Sequence, residues 1–132
     1  MNRPKVGILF FAHEWFWSAK MFGSEFLELL EKDASDIEQQ LKSYVDVVNG
    51  GIILRPDEAS KASKRLLAEH CDAIILFPIV WSADTPMLGA LKEIDKSFII
   101  LWCHNRLEKL PERMGFDEII RGSGPIGALQ MS

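Results

Sequence analysis

Two short stretches hold the residue types that can do chemistry, and each follows an uninterrupted apolar run. The first is Trp81-Ser82-Ala83-Asp84, after the run at residues 73–80. An indole is a large apolar plate with one N–H donor, suited to lying on the C–H face of a sugar while donating to one hydroxyl. The alternative use of Trp81 is to cap a sheet end or to bury itself against a neighbouring subunit, since aromatic residues also dominate interfaces. Asp84 can accept from a polyol hydroxyl or can stabilise the helix start that follows it. The second stretch is His13-Glu14-Trp15-Phe16-Trp17, after the run at residues 5–12. A histidine beside a carboxylate can act as acid and base or enter a metal site, but adjacent residues of an extended segment point opposite ways, which makes it awkward for both to reach one ion. Trp15, Phe16 and Trp17 are too apolar to stay wet on one loop, so they read as a partner-facing or self-burying cluster and point to oligomerisation.

Other candidates are weaker. Cys103-His104 offers a thiol beside an imidazole, but sequence adjacency is poor geometry for a nucleophile and its base, and no third orienting group is evident. His70 and Cys71 read as a helix-end cation and a core thiol. Residues 122–127, GSGPIG, look like an anion-binding helix start, yet match neither the dinucleotide fingerprint after a strand nor a P-loop with its lysine.

The elements that must position these residues follow from periodicity. The runs at 5–12 and 73–80 lack polar alternation, which predicts strands covered on both faces. Between them, Phe26, Leu29, Leu30, Ile37 and Leu41 fall near helical spacing from Ser24, as one long helix or as two with a restart at the S-x-x-E box of Ser35 and Glu38. Residues 44–48 predict a second strand closed by Asn49-Gly50-Gly51, with 52–54 as a possible extension. Pro56 opens a helix whose stripe is Ala59, Ala62, Leu66 and Leu67, with Lys61, Lys64 and Arg65 facing water. Thr85 is expected as the next N-cap, with Pro86 in the first turn and Met87, Leu88, Leu91 and Ile94 marking the helix. Residues 97–103 predict a fourth strand leading to His104-Asn105-Arg106. A short helix from Pro111 and a last helix from 126 are also expected.

Strands alternating with crossover-length connections define an α/β fold: a flavodoxin-like or Rossmann-like three-layer sandwich with a parallel sheet in the order 2-1-3-4. In that order the first and third strands are neighbours, and their carboxyl ends form the switch point where ligands collect. The loops at 13–17 and 81–84 should therefore face each other. No fifth strand closes the pattern and the last helix lacks a cap, so we read the sheet as truncated at the C-terminus and residues 1–132 as one domain, the amino-terminal part of a longer chain. An ordinary frayed C-terminal helix is the alternative.

Composition limits the function classes. A chain of 132 residues with 48% hydrophobic content can bury a core. A net charge of -4 with dispersed signs argues against a nucleic-acid surface. The apolar runs are far shorter than the roughly 20 residues that cross a bilayer, the amino terminus leads into a strand rather than a signal peptide, and two thiols without C-x-x-C spacing suit a reducing compartment. The expected location is the cytoplasm.

Four segments also resemble the amino-terminal domain of the L-fucose/L-arabinose isomerase family: KVGILFF at the start, Gly50-Gly51 with the Pro-Asp-Glu-Ala helix after it, DAIILFPIVWSADTP in the centre, and the closing GSGPIGALQ. The likeness spans nearly the whole chain. It implies an aldose-ketose isomerase that moves protons between adjacent sugar carbons with a divalent metal, commonly manganese, polarising the hydroxyl and carbonyl oxygens. It further implies that the metal-binding glutamate, aspartate and histidine belong to later domains, so this domain binds no cofactor, has no catalytic residue and is inactive alone. By the resemblance it forms a pocket wall for a neighbouring subunit of a homo-oligomer. Trp81 then stands at the sugar-contacting position, and the loop from His13 through Glu14 and Trp15 to Trp17 forms the other wall. An arginine that fucose enzymes place near that loop is replaced here by His13 and Glu14. The rival expectation is a stand-alone flavodoxin-like or receiver-like binding or signalling module. A flavodoxin would need a small, polar phosphate loop after the first strand, and a receiver an aspartate where Ile79-Val80-Trp81 stand. A purely structural domain of a multimer is the third expectation.

Overall fold

The computed structural model describes residues 2–18, 22–94 and 98–102. Along the chain run β1 (Lys5–Phe11), α1 (Glu14–Ser18), α2 (Gly23–Lys42), β2 (Asp46–Ile53), α3 (Pro56–Ala68), β3 (Ala73–Pro78), α4 (Asp84–Glu93) and β4 (Phe98–Leu101). All strand pairings are parallel and the order is β2-β1-β3-β4, as expected from the alternation. The expectations for residues 103–132, including the two last helices, the Cys103-His104 pair, GSGPIG and the truncated end, lie outside the described residues.

Alternate side chains of the two central strands feed two separate cores, as the period of a strand requires. Ile8 and Phe10 of β1 and Ile75 and Phe77 of β3 pack under Phe26, Leu30, Ala34 and Ile37 of α2. Those four α2 residues recur every three or four positions and make one stripe. Phe10 and Phe77 meet edge to face at 5.8 Å. On the opposite face Leu9, Phe11, Ile74 and Leu76 pack under Ala59 and Leu66 of α3, Met87 and Ala90 of α4, and Ile94 just after it. Burying one such side chain contributes about 1.5–3 kcal/mol relative to leaving it wet, so the central pair of strands anchors the domain. Where α4 crosses the start of α3, a Cβ on Gly89 would lie 2.9 Å from the carbonyl oxygen of Pro56, so that crossing needs the missing side chain.

Several local expectations change. The segment from Gly23 to Lys42 is one helix, and Ser35 is an exposed residue within it. Asn49-Gly50-Gly51 does not close β2: it makes a bulge inside it, because Ile8 faces Asn49 while Phe10 already faces Ile52. Gly51 takes the left-handed conformation, φ 91°, and its amide donates to Oδ1 of Asn49 at 2.7 Å. The apolar stripes are also narrower than their spacing suggests. Leu29, Leu67 and Leu88 are exposed, while Ser63 of α3 is fully buried among the core positions. β4 occupies its expected place, but Phe98 is 68% exposed and Leu101 52%.

Candidate functional site

The carboxyl ends of β1, β2 and β3 finish at one level. The amide of Ala12 donates to the carbonyl of Ile53, and the amide of Ile79 to the carbonyl of Phe11. Backbone pairing thus continues to the carboxyl end of β1 on both of its sides before the connections leave, and it fixes where each exit loop starts.

Beyond β1 the chain does not stay extended. It turns into α1, and His13 is the residue that starts it. Its carbonyl accepts from the amide of Phe16 at 3.1 Å, and its Nδ1 accepts from the amide of Trp15 at 3.1 Å. This is the N-cap pattern, with an imidazole nitrogen in place of the usual oxygen. The turn distributes the following side chains. Glu14 swings to Arg55, 3.6 Å away. Trp15 stays 49% exposed, while Phe16 is buried against Phe22 and Phe26, with centroids at 5.8 and 5.7 Å. Trp17 packs partly buried against the same core. Helix formation therefore separates three aromatics that an extended loop would have left together.

Beyond β3, Ile79 and Val80 are buried and the chain surfaces at Trp81, which is 37% exposed. Its indole stacks on the His13 imidazole at a centroid distance of 4.9 Å and an interplanar angle of 5°. Trp15 approaches the same imidazole edge-on at 6.3 Å. The two loops expected to face each other at the switch point thus meet through a pair of parallel rings.

The helix after Trp81 starts two residues earlier than an N-cap at Thr85 would place it. Ala83 is the N-cap and supplies no side-chain bond, so Asp84 is the first helical residue and Pro86 the third. The first three helical amides have no intrahelical partner in any helix, which is why a proline is tolerated there. Asp84 is exposed at the positive end of α4, with no hydrogen bond or ion pair among the described residues. Ser82, 1% exposed, has an Oγ with no hydrogen-bond partner among the described residues.

Arg55 is the residue that sequence reasoning missed. It stands at the exit of β2, and its guanidinium lies 3.6 Å from Glu14, 3.6 Å from Asp57 and 3.0 Å from Glu58. All four groups are a third or more exposed, so the pairs hold the rim in shape more than they stabilise the fold. The signal was the X-Pro helix start: a residue before Pro56 sits at a strand end, and the sheet order puts that end beside His13-Glu14.

Cys71 lies at the other end of the sheet, before β3. Burial, with smaller contributions from Glu69 and Asp72, pushes its thiol up despite the opposing charge of Lys5, which suits a packing role. A cleft of about 330 Å³ between β2 and α3, lined by Gly50, Ile53, Glu58, Lys61 and Arg65 among others, includes none of the expected site residues. Among the described residues no group of three or more His, Cys, Asp or Glu side chains could hold a metal ion, and no helix is long and apolar enough to cross a membrane.

Fold and site together define an α/β domain with a parallel sheet of order 2-1-3-4 and an aromatic pair at its switch point. No protein-family model matches the sequence, and no curated protein matches it.

Proposed function

We propose that this chain is the substrate-pocket and oligomer-assembly domain of a cytoplasmic, metal-dependent aldose-ketose isomerase of the L-fucose/L-arabinose type. One observation carries the reading. The exit loops of two adjacent parallel strands meet at the switch point through His13 and Trp81, and the indole there remains partly open to solvent. A tryptophan so placed can lay its face against the C–H face of an aldose and donate Nε1–H to one hydroxyl. Asp84 accepts from a second hydroxyl, and Trp15 with Glu14 forms the far wall. Trp15 and Leu88, both about half exposed, offer apolar surface to a neighbouring subunit.

The domain binds and orients, and it has no catalytic residue of its own. In the resembled family a divalent ion, commonly manganese, would polarise the sugar's hydroxyl and carbonyl oxygens for the proton shift between adjacent carbons. By that resemblance its ligands, a glutamate, an aspartate and a histidine, belong to later domains of the complete isomerase. The same fold serves stand-alone flavodoxin-like and receiver-like modules. We prefer the isomerase reading because α1, with its two tryptophans, occupies the place of a small, polar phosphate loop.

In the complete assembly, Trp81→Ala is expected to lower kcat/KM for L-fucose or L-arabinose by the equivalent of roughly 1–3 kcal/mol of lost contact. Steady-state kinetics of the variant decides this, and unchanged constants remove Trp81 from the pocket.

A further inference from the structure

His13 is fixed before any ligand arrives. Because Nδ1 accepts the amide hydrogen of Trp15, the neutral ring carries its proton on Nε2. That N–H has no partner among the described residues. The capping bond also fixes the ring plane, and the indole of Trp81 lies 5° from parallel to it. One face of Trp81 is therefore covered, while 37% of the residue stays exposed. A tryptophan on a loop between strand and helix has several staggered rotamers open to it, and a flat ring held behind it removes most of them. The ordering is done during folding rather than at binding, which is how preorganisation raises affinity.

We infer that His13 is the positioning residue of Trp81: by capping α1 it holds its own ring as a backing plate, so that the indole presents one face to a ligand. His13 thereby links the exit of β1 to the exit of β3 through a side chain. The cap and the plate are separate properties of one imidazole, and different substitutions remove them. The consequence for ligand affinity rests on the proposed sugar-contacting role of Trp81, whereas the positioning itself does not.

The test uses the complete protein with ¹⁵N-labelled histidine, and L-fucose and L-arabinose as probes. Long-range ¹H–¹⁵N correlation is expected to show His13 as the Nε2–H tautomer, with ring protons shifted upfield by an indole current that Trp81→Ala abolishes. In sugar titrations His13→Asn, which keeps a capping group but loses the plate, is expected to bind about five-fold more weakly. His13→Phe, which restores a flat ring without the cap that fixes its plane, is expected to recover binding only in part, to about two- to three-fold weaker than native, and full recovery would overturn the role of the cap. An Nδ1–H tautomer, or ring shifts indifferent to Trp81→Ala, overturns the positioning role whether or not a sugar binds. Native-strength binding by His13→Asn alongside weakened binding by Trp81→Ala overturns it too, while leaving the sugar site standing. If neither sugar binds, the proposed function fails by itself, and tautomer and ring shift alone decide the role of His13.

Discussion

Two junctions beside β1 solve the same problem in opposite ways. Each must lead a parallel strand into a helix and find partners for the amides around the helix start, which have none within the helix. Between β2 and α3, Glu58 accepts from the amides of Leu54 and Arg55 at 3.0 and 3.3 Å, and Arg55 touches three carboxylates. Pro56 takes the first helical position and has no amide hydrogen to satisfy. Between β3 and α4 little of this is done among the described residues: the N-cap is Ala83, the hydroxyl of Ser82 is buried without a partner there, and Asp84 is exposed. A buried polar group left unpaired costs about 1–3 kcal/mol, so the second junction is built below the stability its position allows. It is also the junction that presents Trp81.

The largest effect should come from damaging the closed junction. Glu58→Ala removes the one carboxylate oxygen that accepts from both amides and the closest partner of Arg55, and is expected to cost about 1–2 kcal/mol, with Glu58→Gln recovering most of it. Thermal melts read this directly, and equal melting points for Glu58→Ala and native protein would make the two junctions equivalent. Closing the open junction should act in the other direction. Ala83 already has the extended conformation of an N-cap, φ -77° and ψ 155°, so Ala83→Ser is expected to gain about 1 kcal/mol in denaturant unfolding. No gain would mean that the α4 amides are already satisfied. Smaller again is Ser82→Ala, which deletes the unpaired hydroxyl and should leave stability unchanged or raise it by up to about 1 kcal/mol. A clear loss would show that Oγ has a partner in solution.

The smallest effect lies away from both junctions and serves as their control. Glu38 of α2 meets Lys42 at 2.6 Å and accepts from Asn49 of the β2 bulge at 2.6 Å. The Lys42 bond, foremost, and that of Asn49 hold its carboxyl below the usual range against the opposing effect of burial. Its contribution is therefore present above the unfolded value of about 4.3 and fades as pH falls through the lower folded value. Unfolding at pH 7 and pH 3 should show a smaller acid loss in Glu38→Gln than in the native chain, and an identical loss would contradict the clasp.

What could be read from residues alone depended on how far apart the interacting groups are. Both buried strands were legible because runs such as AIILFP leave no polar face, and once the helices between them were recognised the order 2-1-3-4 and the switch point followed. The expected site residues were legible as neighbours of those strand ends. The N-cap of α4 was misplaced by two residues because Thr85 has the right chemistry, whereas a bare Ala83 has no signal. Asn49-Gly50-Gly51 looked like a stop because a turn and a bulge use the same residues, and only the register against β1 separates them. Arg55 was passed over because its partner Glu14 lies 41 positions earlier in the chain.

The sequence by itself determined the parallel α/β architecture, the two cores and the position of Trp81 at a strand exit, because hydrophobic period and local turn chemistry act within a few residues. Tertiary structure alone decided what Trp81 touches. The stack on His13, the diversion of Glu14 to Arg55 and the burial of Phe16 all arise where separate crossovers converge, and contacts between distant segments leave no period in the chain to read.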